Sequence, residues 1–223
     1  MTRKLYFEAI LKFSAGVALM TVLLFLPAGT IDWYNGKLLM AILFIPMFLA
    51  GLVMMAFNPE LLRSRLNAKE KESEQSTVIK LSGLMFLCGF ILAGLDFRFG
   101  WSALPGWVST FGALMFLGAY AMFAEVLREN TWLSRTIEVQ EGQTVVSTGL
   151  YGIVRHPMYS ATVVLFLSMP LVLASIPAFL VFLCYPVIIA KRIRNEEEVL
   201  KRDLLGYAEY LKKVRWRLIP YIW

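Results

Sequence analysis

Charge is scarce in this chain. Asp, Glu, Lys and Arg make up 17% of its 223 residues and hydrophobic residues 58%, where a soluble domain is about a quarter charged and about half apolar. The mean hydropathy of +0.64 agrees. That composition excludes a disordered chain, a basic nucleic-acid-binding domain and an ordinary water-soluble enzyme. Histidine occurs once, at His156, and cysteine twice, at Cys88 and Cys184. Both cysteines sit inside apolar runs, with no metal-ligand spacing and no histidine partner, so they read as buried hydrophobes and no metal site is expected. No cleavable leader is expected either: the first apolar run, Ile10 to Pro27, has no convincing small-residue cleavage site, and similar runs follow it. There is no internal repeat and no low-complexity tract. What remains is an integral membrane protein.

A helix needs roughly 20 mostly apolar residues to cross a hydrocarbon core of about 30 Å. Four runs qualify, over about Ala9–Ala28, Leu38–Phe57, Val78–Leu95 and Trp107–Phe123. A fifth region, Tyr159 to Ala190, contains no charged residue. At about 1.5 Å per residue it would be some 48 Å long, too long for one upright span and short for two. Pro170, Pro177 and Pro186 punctuate it, with Ser175-Ile-Pro177 near its middle. The reading is a tight hairpin of two tilted helices, giving an all-α fold of about six membrane helices. Residues 1–127 would hold the first four and residues 128–223 the remainder.

Basic residues test that count. With six spans both termini face one side, and of the 22 Lys and Arg only Lys37 and Arg98 then fall on the other. The expectation is a multi-pass protein with cytoplasmic N- and C-termini, in the inner membrane if the source is bacterial. Three pieces lie on the cytoplasmic side. Asn58–Ile79, with Lys-Glu-Lys-Glu at 69–72, reads as a solvated connector. Residues 136–146 alternate like a short strand or hairpin with a turn at Glu141-Gly142. Glu196–Val214 carries apolar residues at helical spacing opposed by charge, a cytoplasmic amphipathic tail helix.

Chemistry gathers at the two feet of the hairpin. Arg155 and His156 precede Pro157 where the chain re-enters the membrane, with Tyr151 and Tyr159 close by. Polar groups at this depth are costly and tend to line a cavity. At the other foot, Arg192 and Glu196 stand four apart, which puts a guanidinium and a carboxylate on one helix face. The cluster Lys191–Glu198 reads either as arginines meeting anionic lipid headgroups before a solvated acidic helix start, or as an anion-binding arginine beside a cation-binding carboxylate.

Val146-Ser-Thr-Gly-Leu-Tyr-Gly-Ile-Val-Arg-His-Pro-Met-Tyr159, the uncharged hairpin, Arg192-Ile-Arg-Asn-Glu-Glu197 and Gly206-Tyr-Ala-Glu-Tyr210 resemble the isoprenylcysteine carboxyl methyltransferases, the prokaryotic members above all. Phospholipid N-methyltransferases are related to that family. The resemblance covers roughly the last ninety residues; the first spans match only in being apolar.

The resemblance implies S-adenosylmethionine as cofactor, bound in a cytoplasm-facing pocket. Gln140, Gln143, Thr144, Val145 and Val146 of the preceding loop would contribute, with Tyr151, His156, Pro157, Tyr159, Glu196 and Glu197. Arg192 matches the family arginine that faces the substrate carboxylate, so Arg192 and Glu196 would carry catalysis. Gln143 stands where eukaryotic members have a histidine. The interval from Leu200 to Gly206 is one residue longer than in those members, which leaves Arg194 and Glu197 as the alternative register. The partners implied are a lipophilic substrate entering from the bilayer and the membrane lipids; the oligomeric state is open. Carboxyl O-methylation of an isoprenylcysteine-like molecule is the first reading. A phospholipid headgroup amine or a small thiol are alternative acceptors. Two further classes stay in play: a sterol-reductase-like oxidoreductase, whose relatives share an Arg-His-Pro element and bind a nicotinamide cofactor, and a transporter or scaffold, which the one-sided clustering of ionisable residues disfavours.

Overall fold

The computed structural model describes residues 2–57, 59–66, 73–133 and 139–223. The described chain is helical: α1 (Thr2–Ala28), α2 (Tyr34–Phe57), α3 (Pro59–Leu66), α4 (Ser73–Phe99), α5 (Gly106–Glu129), a 3₁₀ turn at Gly149–Gly152, α6 (Pro157–Val172), α7 (Ile176–Phe182), α8 (Tyr185–Asp203) and α9 (Tyr207–Lys213). Five stretches are long and apolar enough to cross a membrane: Lys4–Ala28, Tyr34–Phe57, Thr77–Phe99, Gly106–Glu129 and Ile176–Asp203, the last running through α7 and α8. The other hairpin arm, α6, has only 16 residues, about 24 Å of helix. The molecule is an all-α, multi-pass membrane protein.

The hairpin turns where its sequence allows. Ser175 caps α7, its hydroxyl accepting from the Ala178 amide at 3.3 Å, and Pro177 falls in the first turn, where its missing N–H costs nothing. Pro186 enters early in α8 and marks the junction with α7. Buried Asp96 at the end of α4 accepts from both the amide and the hydroxyl of Ser102 at 2.7 Å, and that hydroxyl accepts from the Ile176 amide at 3.0 Å. This relay ties the hairpin tip to the bundle.

Packing centres on α5 against α6 and on α4 against α1 and α7. Gly112 lets α5 approach α6 closely, since a Cβ there would lie 2.7 Å from the Val172 nitrogen. Phe116, Phe182, Leu24 and Leu39 are fully enclosed, and Phe182 meets Phe86 and Phe90 at ring distances of 5.5 Å. The outer surface of the spans is apolar as well, with Leu19, Leu26, Leu49 and Leu114 exposed, as lipid rather than water requires.

Three expectations are corrected. Cys88 is half-buried and Cys184 exposed, because a lipid-facing surface tolerates a small hydrophobe as readily as a core does. No strand forms among the described residues between 139 and 148. The turn at Glu141-Gly142 is present, held by the Gln143 amide donating to the Gln140 carbonyl at 3.1 Å, while the Gln140 side chain donates to the Trp132 carbonyl at 2.7 Å. Residues 136–138 of the expected strand lie outside the described residues. The single helix over Glu196–Val214 is two: α8 runs unbroken from the membrane to Asp203, and α9 starts only after Gly206, whose φ of +84° suits glycine and breaks the helix. In the connector, α3 is helical, and the Lys-Glu-Lys-Glu at 69–72 lies outside the described residues.

Candidate functional site

The C-terminal end of α5, the N-terminus of α6, the C-terminal half of α8 and α9 meet at one end of the bundle. His156 is the N-cap residue of α6 and Pro157 follows in its first turn, so the Arg155-His156-Pro157 run sits where irregular backbone becomes helix. One α-helical turn places Tyr159 beside it. On α8 the four-residue spacing puts Arg192 and Glu196 on one face, and both reach the same atom. The Tyr159 hydroxyl donates to Glu196 Oε2 at 2.5 Å and accepts from Arg192 Nε at 2.9 Å. A neutral hydroxyl thus bridges a carboxylate and a guanidinium at fixed geometry.

The next residue on α8 has a different task. Glu197 is 2% exposed, and its carboxylate accepts from Arg155 Nη1 at 2.8 Å and from Arg217 Nε at 3.0 Å and Nη2 at 2.9 Å, with His156 Nε2 at 3.4 Å. Two guanidinium groups and a ring nitrogen satisfy one buried carboxylate, which needs partners to be tolerable there. Arg155 also donates to the carbonyls of Val214 at 2.8 Å and Arg215 at 2.7 Å, while the amides of Arg155 and His156 donate to the carbonyls of Trp216 and Arg217. Ser160 adds a hydroxyl bond of 2.6 Å to the Leu218 carbonyl. The tail after α9 is thereby stapled across the N-terminus of α6, and His156 lies between Glu197 and Glu196, its Nδ1 3.9 Å from Glu196 Oε1.

Two cavities meet here. A polar pocket is walled by Gln143, Thr144, Val145 and Val146 of the loop, by Tyr151, His156 and Tyr159, by Arg192 and Glu196, and by Leu200, Leu204, Tyr207 and Tyr210 of the tail. An apolar cavity of about 950 Å³ lies between α2, α4, α5, α6 and α8, lined by Pro46, Phe86, Tyr120, Phe166 and Ile189 among others. Met158, Tyr159 and Arg192 belong to both linings. The hydroxyl–guanidinium–carboxylate trio stands at the boundary between a polar chamber and a lipid-like one.

Of the residues singled out from sequence, nine stand in the polar wall: Gln143, Thr144, Val145, Val146, Tyr151, His156, Tyr159, Arg192 and Glu196. Three stand outside it. Gln140 braces the loop through Trp132, Pro157 is enclosed in the first turn of α6, and Glu197 is sealed behind the wall by its arginines. Arg194 is exposed, so on α8 it is Arg192 and Glu196 that face the pocket. Sequence reasoning assigned no role to Arg217, which is twenty residues beyond Glu197 and meets it only through the tail's return. It also passed over Asn130, Trp132, Tyr207 and Tyr210 as wall residues; the Gly206-Tyr-Ala-Glu-Tyr210 run was the available signal for the last two.

The tyrosines of the tail differ in how they are satisfied. Tyr210 donates to the Tyr151 carbonyl at 2.7 Å. The Tyr207 hydroxyl is buried without a hydrogen-bond partner, one of two such side-chain atoms among the described residues; the other is Ser109 Oγ. Burial, reinforced by Glu197 and Glu196, raises the Tyr207 pKa far above the ordinary phenolic value, so the group is a protonated donor at any working pH.

Comparison with known proteins agrees with this picture. The model of the isoprenylcysteine carboxyl methyltransferase (ICMT) family matches residues 111–202, from within α5 to the end of α8, and that part of the chain is ICMT-like in sequence. The solved structure of a eukaryotic intramembrane Ras methyltransferase, ICMT, superimposes with a TM-score of 0.59 at 17% identity, covering 96% of this chain and 77% of that one; the fold is of the ICMT kind. Mouse (Mus musculus) Delta(14)-sterol reductase TM7SF2 is 31% identical over 91 residues, 40% of this chain. The chain matches only 22% of that reductase's length.

Proposed function

We propose that this protein is an integral membrane methyltransferase that uses S-adenosylmethionine to methylate the carboxylate of an isoprenylcysteine-like lipid. The observation that carries the reading is the Arg192–Tyr159–Glu196 trio at the junction of a polar and an apolar cavity. A reaction between a water-soluble cofactor and a lipidic acceptor needs that two-solvent geometry.

The polar pocket's donor set fits the cofactor. Glu196 presents a carboxylate toward a cation, and Val145, Leu200, Leu204 and two tyrosines of one apolar cluster complete the wall. When bound, S-adenosylmethionine supplies an electrophilic methyl on a cationic sulfur. The chain's own part is alignment, the main contribution a displacement of this kind requires. A carboxylate acceptor is already ionised at neutral pH and needs no general base. Arg192 anchors it from the cavity side with charge-assisted hydrogen bonds. Tyr159 fixes Arg192 and Glu196 to one point, so anchor and cofactor wall move together. The apolar cavity takes the acceptor's hydrocarbon and keeps water from the reacting groups.

The similarity to a sterol reductase favours a second reading, an oxidoreductase using a nicotinamide dinucleotide. Its two phosphates would need several cationic donors, and of the two arginines in the pocket wall, Arg155 and Arg192, the first is committed to Glu197 and the tail carbonyls; a single carboxylate asks for one guanidinium. The first reading is therefore preferred. Purified protein, methyl-labelled S-adenosylmethionine, lipid extract and a prenylcysteine test it. Label released as volatile methanol by base establishes a methyl ester. Base-stable label in lipid moves the acceptor to a headgroup amine, with Glu196 as the base. No label, and no cofactor binding by calorimetry, removes the methyltransferase reading.

A further inference from the structure

Tyr207 is 4% exposed, its hydroxyl has no hydrogen-bond partner, and it forms part of the polar pocket's wall. Burying a hydroxyl unpaired costs about 1–3 kcal/mol, and such a group in a folded protein calls for an explanation. Its position is not accidental slack. The left-handed Gly206 aims the first turn of α9, the Tyr207 amide donates to the Leu204 carbonyl at 3.2 Å, and the ring packs at 5.7 Å against Tyr210. Its neighbour Tyr210 spends its hydroxyl on the Tyr151 carbonyl. Of two neighbouring tail tyrosines, one closes the fold and the other leaves an unused, buried donor within the pocket's wall.

We propose that the Tyr207 hydroxyl is the donor that holds the nucleoside end of the cofactor, through a ring nitrogen or a ribose oxygen. The inference rests on the methyltransferase reading and adds to it the orientation of the cofactor. Tyr207 sits with Val145, Leu200, Leu204 and Tyr210, an apolar and aromatic surface suited to a purine. The trio is the part of the wall that meets the apolar cavity, and it takes the sulfur end. Glu196 and Glu197 both act electrostatically on Tyr207, which disfavours the cofactor's amino-acid carboxylate beside it and leaves a neutral acceptor.

The test uses the full chain in detergent, wild type and Tyr207→Phe, with S-adenosylhomocysteine and with 5′-methylthioadenosine, which lacks the amino-acid group. Without ligand, Tyr207→Phe should unfold at the wild-type temperature or slightly above it, because it removes an unsatisfied atom. Calorimetric Kd should rise about tenfold for both ligands, the loss of one hydrogen bond. Unchanged Kd for both ligands overturns the proposal. So does a loss confined to S-adenosylhomocysteine, which would place the hydroxyl at the amino-acid end. Misfolding or marked destabilisation of Tyr207→Phe also overturns it, since the hydroxyl would then have a structural partner. Absence of binding by the wild type removes the cofactor reading itself, a result distinct from each of these.

Discussion

Adjacent glutamates on α8 illustrate how much one residue step matters. Glu196 faces the pocket through Tyr159, while Glu197 points behind the wall into Arg155 and Arg217. Their substitutions should therefore fail differently. Glu196→Gln should keep the unfolding temperature but weaken S-adenosylhomocysteine binding, roughly 3–10-fold for one charge-assisted contact, measured by calorimetry; wild-type affinity would remove Glu196 from the cofactor wall. Glu197→Ala leaves two guanidinium groups without their buried anion and should cost about 3–5 kcal/mol of stability, visible as lost thermal stability before any activity is assayed. Arg192→Ala should lower kcat/KM for a carboxylate acceptor roughly 10–100-fold, on the order of 1.5–3 kcal/mol for a hydrogen bond to a charged group, while sparing cofactor affinity. Unchanged turnover in that variant would defeat the anchoring role.

Among the elements, the hairpin decides where the site lies. Its tip is held by the Asp96–Ser102–Ile176 relay and its feet carry the chemistry, with α6 and the α7–α8 arm between. Asp96→Ala removes the acceptor for two groups of Ser102 and should destabilise by about 1–3 kcal/mol; thermal unfolding in detergent with cofactor binding of the surviving fold checks it. A wild-type melting curve would show that the relay contributes nothing. Gly112 acts at the same scale: side-chain bulk on α5 would separate it from α6 and shift the wall that α6 carries. The tail acts as a strap, since Arg155 and two backbone amides join it to α6.

At the scale of the whole molecule, the pocket and the basic residues share one end of the bundle. A third cavity, of about 290 Å³, lies at the opposite end beside Trp33, Asp96 and Ala174, near Lys37 and Arg98. If the positive charge is retained on the cytoplasmic side, cysteines introduced at Lys37 and at Arg215 should label from opposite faces of sealed vesicles with an impermeant thiol reagent. Labelling of both from one face would overturn the six-span arrangement and the cytoplasmic opening of the pocket.

Much of this was written in the chain, for reasons that follow from local physics. Hydrocarbon thickness fixes span length, so the apolar runs showed α1, α2, α4 and α5 directly, and prolines with Ser175 marked the hairpin. Helical periodicity put Arg192 and Glu196 on one face. The roles that only tertiary structure decided depend on return paths of the chain. Arg217 meets Glu197 because the tail folds back over α6, and no spacing rule encodes that closure. Gln140, Pro157 and Glu197 look like wall residues in a linear motif, yet turn geometry and arginine pairing place them behind it. Tyr207 was one aromatic among several in the sequence; its hydroxyl became conspicuous only when burial, a property of the assembled fold, left it without a partner.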